Sequence, residues 1–454
     1  MDRRLTMQAQ TTSEQRTEAL FAAWMSTGGK PFASPEVART YQRRVQRFKD
    51  VVQLKKPDQV PAILLTGGFV ADYAGISHGE MMYDYEKAAR ALLKFHEDFQ
   101  PDYQAASNFL PGPAFDRLGY VLYRWPGSKL PSQSLPPTTP FQMVEAEYMR
   151  ADEYDQLIAD PESFCLRVYV PRICKALGGW QLLPSFLATM EMPFIPFWLG
   201  VSGAPPVMEA FQAFLEAIRL NAEYSAVSGR VSAELMSKYG MPGTVGGFTK
   251  APFDILGDTL RGTRGIMLDM YRYPNKVLAA AERLVPIAIQ MGLQAATTSQ
   301  HPFVMIPLHK GADGFMSRED FKKFYWPTLK ETLLGLIEGG AVPFLFVEGG
   351  YNERLDIIAE SGLPAGRTVW LFDRTDMKAV KKFFGSWACF GGNVPASLFY
   401  TGTPQEMEAC VRTLIETVGQ DGGFFLSPGV VVDQARPENV RAYLEAARKY
   451  GVYG

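Results

Sequence analysis

The sequence predicts an α/β protein built as a (β/α)8 TIM barrel, on three observations. Short apolar runs alternate with segments of helical period, each run closes on a polar residue, and the glycine turns of nucleotide-binding sheets are missing. The runs are FVMIPL before His309, VPFLFV before Glu348, TVWLF before Asp373, WACFGG before Asn393 and GGFFL before Ser427. Each is of strand length and lacks the polar alternation of a half-exposed strand, so both faces are expected to be covered.

The segments between them carry helix punctuation. Thr403-Pro404-Gln405-Glu406 is a capping box with proline at the first helical position, and Met407, Val411, Leu414 and Val418 share the face that follows, before Gly419. Pro437 to Tyr450 repeats the scheme, with Val440, Leu444 and Ala447 on one face and Gly451 just beyond. Ser317 is placed to cap a helix that buries Phe321 and Phe324, and Pro327 is expected to kink it. Strands and helices alternating at this spacing imply parallel strands joined by right-handed crossovers. An open doubly wound sheet satisfies the same alternation, but neither GxGxxG nor GxxxxGK[ST] occurs, and 454 residues suit a barrel with insertions.

Residues 1–57 are charged and helical in pattern and read as an N-terminal helical extension, with the barrel domain over 58–454. Within it, about 109–145 forms a Pro/Gly-rich insertion whose stretch RWPGSKLPSQSLPPTTP reads as irregular loop. A content of 47% hydrophobic residues, with 30 Phe, 20 Tyr and 7 Trp, is ample for a large core. Lys+Arg 46 against Asp+Glu 48 leaves a net charge of -2, which offers no footing for a phosphate backbone, so nucleic acid is not expected as a partner. Cys165, Cys174, Cys389 and Cys410 are scattered without a CxxC, which argues against a disulfide framework or a cysteine zinc cluster. The first thirty residues lack the apolar core of a signal peptide, and no stretch approaches 18 uninterrupted apolar residues. A soluble, cytoplasmic protein is the expectation.

In such a barrel the residues just past the strand ends line one mouth, where the chemistry is kept. His309, Glu348, Asp373, Asn393 and Ser427 are therefore expected to face a common pocket. A neutral imidazole at 309 could ligate a metal or move a proton. Glu348, ahead of Gly349-Gly350, suits a metal ligand, an acid/base or the partner of a cationic substrate, with an ion pair to Arg354 as the structural alternative. Asp373 can equally pair with Arg374, and Asn393 stands in a GGNVP turn whose glycines permit close backbone approach to a ligand. His78, His96 and His301 carry weaker signals; His96, beside Glu97 and Asp98, is expected on a solvated face. HExxH and GxSxG are absent, as is a cysteine with an obvious histidine partner.

Several segments then match in order: FQMVEAEYMRADEYDQLIADPESF, PLHKGADGFMSREDFKKFYWPTLKE, VEGGYNERLD, GGNVPASLFYTGTPQEM and GGFFLSPGVVVDQARPENVRA. Over about residues 57 to 454 the chain resembles the uroporphyrinogen decarboxylase-like superfamily, and within it the branch of corrinoid (cobalamin)-dependent methyltransferases, including O-demethylases. The resemblance implies a barrel with its site at the C-terminal strand ends, consistent with the residue-level reading, in which Glu348 and His309 are expected as catalytic residues and Asp373, Asn393, Ser427 and Tyr351 as substrate contacts. It implies a small O- or N-methylated substrate and a methyl acceptor, the cobalt of a corrinoid (cobalamin) on a separate protein, because this chain shows no corrinoid-binding module. Self-association into a homo-oligomer is compatible with it.

Two departures shape the expectation. Members that methylate a thiol use a zinc site of the form His-x-Cys with a distant Cys, whereas Val347 and Gly349 occupy that neighbourhood here and Val430 stands where the distant Cys is expected. His309 and Glu348, with Asp373 and water, would be left to hold any zinc. True uroporphyrinogen decarboxylases carry an Arg-rich N-terminal segment for the substrate carboxylates; here VADYAGISHGE supplies Asp72 without an Arg cluster, so decarboxylation of that tetrapyrrole is not expected. The alternatives are a decarboxylase or lyase acting on another carboxylate, and a catalytically reduced binding subunit.

Overall fold

The computed structural model describes residues 12–26, 29 and 31–453. Helices α1 (Ser13–Ser26) and α2 (Pro35–Val52) lead into an extended segment at 61–66, and a second extended segment follows at 104–108. Three short strands, β1 (Tyr123–Pro126), β2 (Ser134–Leu135) and β3 (Gln142–Met143), form a small sheet of their own, ordered β2-β1-β3. Helix α3 (Pro205–Tyr239) then leads to a parallel six-stranded sheet in sequential order: β4 (Gly247–Phe248), β5 (Phe303–Leu308), β6 (Val342–Val347), β7 (Val369–Phe372), β8 (Cys389–Val394) and β9 (Phe424–Pro428). Helices α4 (Pro274–Ser299), α5 (Trp326–Glu338), α6 (Met377–Phe384), α7 (Pro404–Val418) and α8 (Pro437–Tyr450) cross between strands or follow the last.

The two extended segments close the sheet on itself. Ile63 N donates to Leu426 O at 2.9 Å and Leu426 N to Pro61 O at 2.8 Å, which joins 61–66 to β9. On the other edge, Asn108 N donates to Gly67 O at 3.4 Å and Gln104 N to Pro242 O at 3.0 Å, which carries 104–108 across toward β4. Eight segments in parallel order make the (β/α)8 barrel, and its closure removes the sheet edges.

Alternation along each strand separates two cores. Phe303, Met305, Phe344, Phe346, Val369, Leu371, Cys389 and Phe425 point to the barrel axis, while Val304, Ile306, Leu345, Trp370, Phe390 and Leu426 point out to the helices. The inner cluster also takes in Phe21 and Trp24 of α1 and Val45, Phe48 and Val52 of α2. Phe48 is the plug: its ring centroid lies 5.2 Å from Phe303, 5.5 Å from Phe425 and 5.5 Å from Tyr103. The N-terminal helices thus fill the end of the barrel opposite the site.

The helix signals read from the sequence operate as expected. Thr403 and Glu406 form the capping box of α7, and α8 buries Val440, Leu444 and Ala447. Ser317 Oγ accepts the Asp320 N–H, and the disturbance expected from Pro327 takes the form of a π-helical turn at Phe321–Tyr325 ahead of α5. Two readings are corrected. The stretch RWPGSKLPSQSLPPTTP is not wholly irregular: β1 pairs with β2 and β3, and Trp125 within it is buried. His96 is buried, not solvated: one ring nitrogen lies 2.8 Å from Leu92 O, the other accepts the Ala105 N–H at 2.9 Å, and burial lowers its pKa to about 4.

Replacing Phe48 with Ala removes the plug's ring contacts and leaves a cavity at the base of the barrel. Urea unfolding of Phe48→Ala is expected to show a loss of about 3–5 kcal/mol.

Candidate functional site

Strand register brings the site together. Leu308 pairs with Val347 and Val347 with Phe372, so His309, Glu348 and Asp373 emerge side by side one residue beyond three neighbouring strands. Their parity matches that of the axis-facing residues below them.

His309 is held from behind by a carboxylate that lies far away in sequence. Its Nδ1 is 2.5 Å from Asp258 Oδ2, and its Nε2 is 3.5 Å from Glu348 Oε1. Burial alone would favour the neutral ring, but hydrogen bonds to Asp258 and Glu348 outweigh it and raise the His309 pKa to about 10. With both nitrogens facing carboxylates, the ring is an imidazolium at neutral pH.

Asp258 and Asp254 come from the turn after β4. Pro252–Asp254 starts a short helix that runs into a π-helical turn at Ile255–Leu260, and this places both carboxylates against the end of β5. Asp254 is fully buried; it accepts the backbone N–H groups of His309 at 3.1 Å and Lys310 at 2.9 Å and the Tyr325 hydroxyl at 2.7 Å. Burial, reinforced by the charge of Asp258, raises its pKa. Asp258 shifts the other way: burial would raise it, but His309 and the Lys250 ammonium at 2.9 Å hold it below the usual carboxylate range. Lys310 Nζ lies 3.2 Å from Asp258 Oδ1 and donates to Thr263 Oγ1 at 2.6 Å.

The remaining sequence candidates divide. Asp373 Oδ2 accepts the Gly349 N–H at 3.0 Å and lies 3.5 Å from Arg374; burial, with a smaller contribution from Glu348, raises its pKa. Arg354 is buried, donates to Gly311 O and Met316 O, and sits 3.6 Å from Asp313, so its ion-pair partner is Asp313 rather than Glu348. Asn393 donates from Nδ2 to Thr375 O at 2.8 Å, which ties the ends of β7 and β8. Ser427 is wholly buried and donates its hydroxyl to Pro428 O. Tyr351 is also buried; its N–H donates to Thr375 Oγ1, and its phenol adjoins the Tyr325 and Asp254 layer beneath the mouth. The close approach permitted by Gly392 is to the neighbouring strand, not to a ligand: at φ +114°, a Cβ there would stand 2.4 Å from Phe372 O. His78 is buried 3.2 Å from Asp72, and His301 is buried at the other end, against Trp24 and Phe303.

A cavity of about 310 Å³ adjoins the charged cluster, lined by Met82, Phe115, Tyr120, Tyr123, Trp125 and Phe141 among others, with no ionisable acid or base in its wall other than tyrosine and cysteine. Tyr123 connects the two regions. Burial raises its pKa, and the negative charges of Asp258 and Glu348 add to the effect. Lys250, Asp254, Asp258 and Tyr123 were not singled out from the sequence. The available signal was the spacing in TKAPFDILGDTL, where charges four apart interrupt an apolar helical stretch.

Zinc does not fit the residues present. Among the described residues no group of three or more His, Cys, Asp and Glu is arranged to hold a metal ion, and a structural or catalytic zinc needs at least three protein donors. His309 and Glu348 face each other at the mouth, while Asp258, on the other ring nitrogen of His309, is already engaged by the ammonium groups of Lys250 and Lys310.

A closed parallel barrel with acid–base groups at its C-terminal mouth places the molecule among the (β/α)8-barrel proteins with a site of the enzyme type. More narrowly, the family model described as uroporphyrinogen decarboxylase (URO-D) matches residues 210–450, over half the chain, and the protein belongs to that family. Among solved structures, the chain is similar to a methyltransferase from Methanosarcina mazei, with 15% identity and a TM-score of 0.56 over 90% of this chain and 98% of that one. A more distant likeness is to a B12-independent methionine synthase from Shewanella sp. W3-18-1 in complex with selenomethionine, with 9% identity and a TM-score of 0.31 over 44% of this chain and 59% of that one. No curated protein matches the sequence. No helix among the described residues is long and apolar enough to cross a membrane.

The raised pKa of His309 links its charge to stability. A folded-state value near 10 against about 6.5 unfolded means the Asp258–His309–Glu348 contribution is fully present below pH 6.5 and is lost as the pH rises toward 10. Chemical denaturation at a series of pH values should show the wild type losing stability over that interval relative to His309→Gln, which lacks the titrating ring.

Proposed function

We propose that this protein is a methyltransferase that removes a methyl group from a small O- or N-methylated substrate and passes it to the cobalt of a corrinoid carried by a separate protein. The observation that carries the reading is His309 held between Asp258 and Glu348 at the barrel mouth, an arrangement that raises its pKa to about 10. Displacement at a methyl carbon leaves an oxygen or nitrogen that must gain a proton as its bond breaks. His309 Nε2 is the proton donor at the mouth, Glu348 orients the ring and restores its proton from solvent, and Asp258 keeps the ring charged and fixed. In the balanced step, the C–O or C–N bond breaks, its electron pair stays on the heteroatom and takes the His309 proton, and the acceptor's electron pair forms the new bond to carbon.

The substrate's body would occupy the cavity bounded by Tyr120, Tyr123 and Trp125, whose walls suit an uncharged, apolar group. The corrinoid is a substrate delivered to the mouth, where the half-exposed Glu348 remains accessible to it. The shared fold with the Methanosarcina mazei methyltransferase is compatible with this chemistry. The family match favours a second reading, a decarboxylase on a different carboxylate, in which His309 would protonate the carbon that loses carbon dioxide. The uroporphyrinogen substrate itself suits the site poorly, because Asp258, Glu348 and Asp373 offset most of the charge of Lys250, Lys310, His309 and Arg374, leaving little cationic surplus for many carboxylates.

Incubating the purified protein with cob(I)alamin and methyl ethers or methylamines, and following methylcobalamin spectroscopically, tests the assignment. Methyl transfer that falls at least about 100-fold in His309→Gln and Glu348→Gln is expected. Carbon dioxide release from a carboxylate without any corrinoid would favour the second reading.

A further inference from the structure

The segment ahead of α3 is built from three short helical turns, Phe186–Thr189, Met192–Phe194 and Ile195–Ser202, and none of them buries a residue. Leu187, Met190, Met192, Phe197 and Leu199 are 69%, 73%, 85%, 71% and 54% exposed. The turns pack on one another, with the Phe186 ring 5.8 Å from Trp198. In the helix Ile195–Ser202, read as IPFWLGVS, Phe197 and Leu199 point about 200° apart, so opposite sides of the same helix are open. A helix that is apolar all round belongs in an apolar medium, either a core or lipid, and the single chain supplies no core for this one.

The polar groups of the segment are turned on one another. Ala188 N–H donates to Ser185 O at 3.1 Å, Met190 N–H to Leu187 O at 3.1 Å, Phe194 N–H to Glu191 O at 3.0 Å and Gly203 N–H to Leu199 O at 2.8 Å. The Thr189 hydroxyl donates to Phe186 O at 2.7 Å, and Ser185 Oγ accepts the Leu187 N–H at 3.3 Å. Water would satisfy such groups in a solvated loop; hydrocarbon would not, so a segment that enters it must pair them internally. From residue 176 to 208 the only charged residue is Glu191. With no Lys or Arg, nothing in this stretch draws it to an anionic surface.

We propose that residues 186–202 insert into one leaflet of a membrane and hold the protein at the surface of a bilayer of zwitterionic lipid. A protein face laid against the helix Ile195–Ser202 would cover one side of it, whereas acyl chains surround both the side of Phe197 and the side of Leu199. The 8 residues of that helix extend about 12 Å, less than half of a hydrocarbon core about 30 Å thick, so the segment enters the bilayer without crossing it. Glu191, which carries the one charge, has to stay among the headgroups and limits the depth to about 5–10 Å. The membrane contact is independent of the reaction assigned to the barrel mouth.

Flotation of the full chain with phosphatidylcholine vesicles, in about 0.1 M and about 1 M NaCl, tests this. The wild type is expected to float at both salt concentrations, because insertion of apolar side chains is not screened. Met192→Glu and Phe197→Glu are each expected to lower the partition coefficient at least about 10-fold with unchanged melting temperature, since both side chains face solvent in the single chain. Tyr400→Glu, at an exposed site elsewhere, should float as the wild type does. A wild type that stays at the bottom of the gradient, alone or self-associated, would overturn the proposal. So would variants that float like the wild type, or binding confined to phosphatidylglycerol vesicles and released at the higher salt.

Discussion

The hydrogen bond between Asp258 and His309 is the contact on which the chemistry of the site depends. At 2.5 Å it joins a carboxylate from the turn after β4 to an imidazole at the end of β5. It fixes which ring nitrogen faces the mouth and keeps the ring charged against its own burial. Two ammonium groups stabilise Asp258 as the anion, so that most of the surrounding polar groups act through it. Asp254 supports the same turn from beneath by accepting the two backbone N–H groups that follow β5, so the position of the ring is set by main chain as well as by side chain.

Below this layer, the barrel is packed at both ends by different parts of the chain. The N-terminal helices fill the base through Phe48, while the three-stranded sheet and its aromatic residues supply the wall beside the mouth. The barrel can therefore hold a fixed acid in one layer while neighbouring segments shape the space for a substrate, a division of labour that parallel barrels allow because loops contribute to the mouth without entering the core.

Much of the architecture was legible because its determinants are local. Continuous apolar runs marked β5 to β9, and the capping signals of α7 and α8 worked as short-range hydrogen bonds would. The same runs marked His309, Glu348 and Asp373, since a residue just past a strand end needs only the register to join its neighbours. The role of Ser427 was harder to read: its backbone position fits the layer, but its hydroxyl is satisfied by the adjacent Pro428 carbonyl. Asp254 and Asp258 escaped notice because their partner lies some fifty residues away, and only tertiary contact distinguishes a buried acid from a solvated one. The aromatic cavity was hidden for the opposite reason: its proline-rich setting masked short strands that pair around the buried Trp125.

The central claim is that His309 is a charged acid at neutral pH, and the most direct measurement is the protonation state of its imidazole, followed by nitrogen-resolved NMR with the signal assigned by His309→Gln. The ring is predicted to carry protons on both nitrogens at pH 8 and to titrate near pH 10, with the midpoint falling in Asp258→Asn. A His309 that titrates near 6.5 in the wild type, the value of an unperturbed imidazole, would contradict the account.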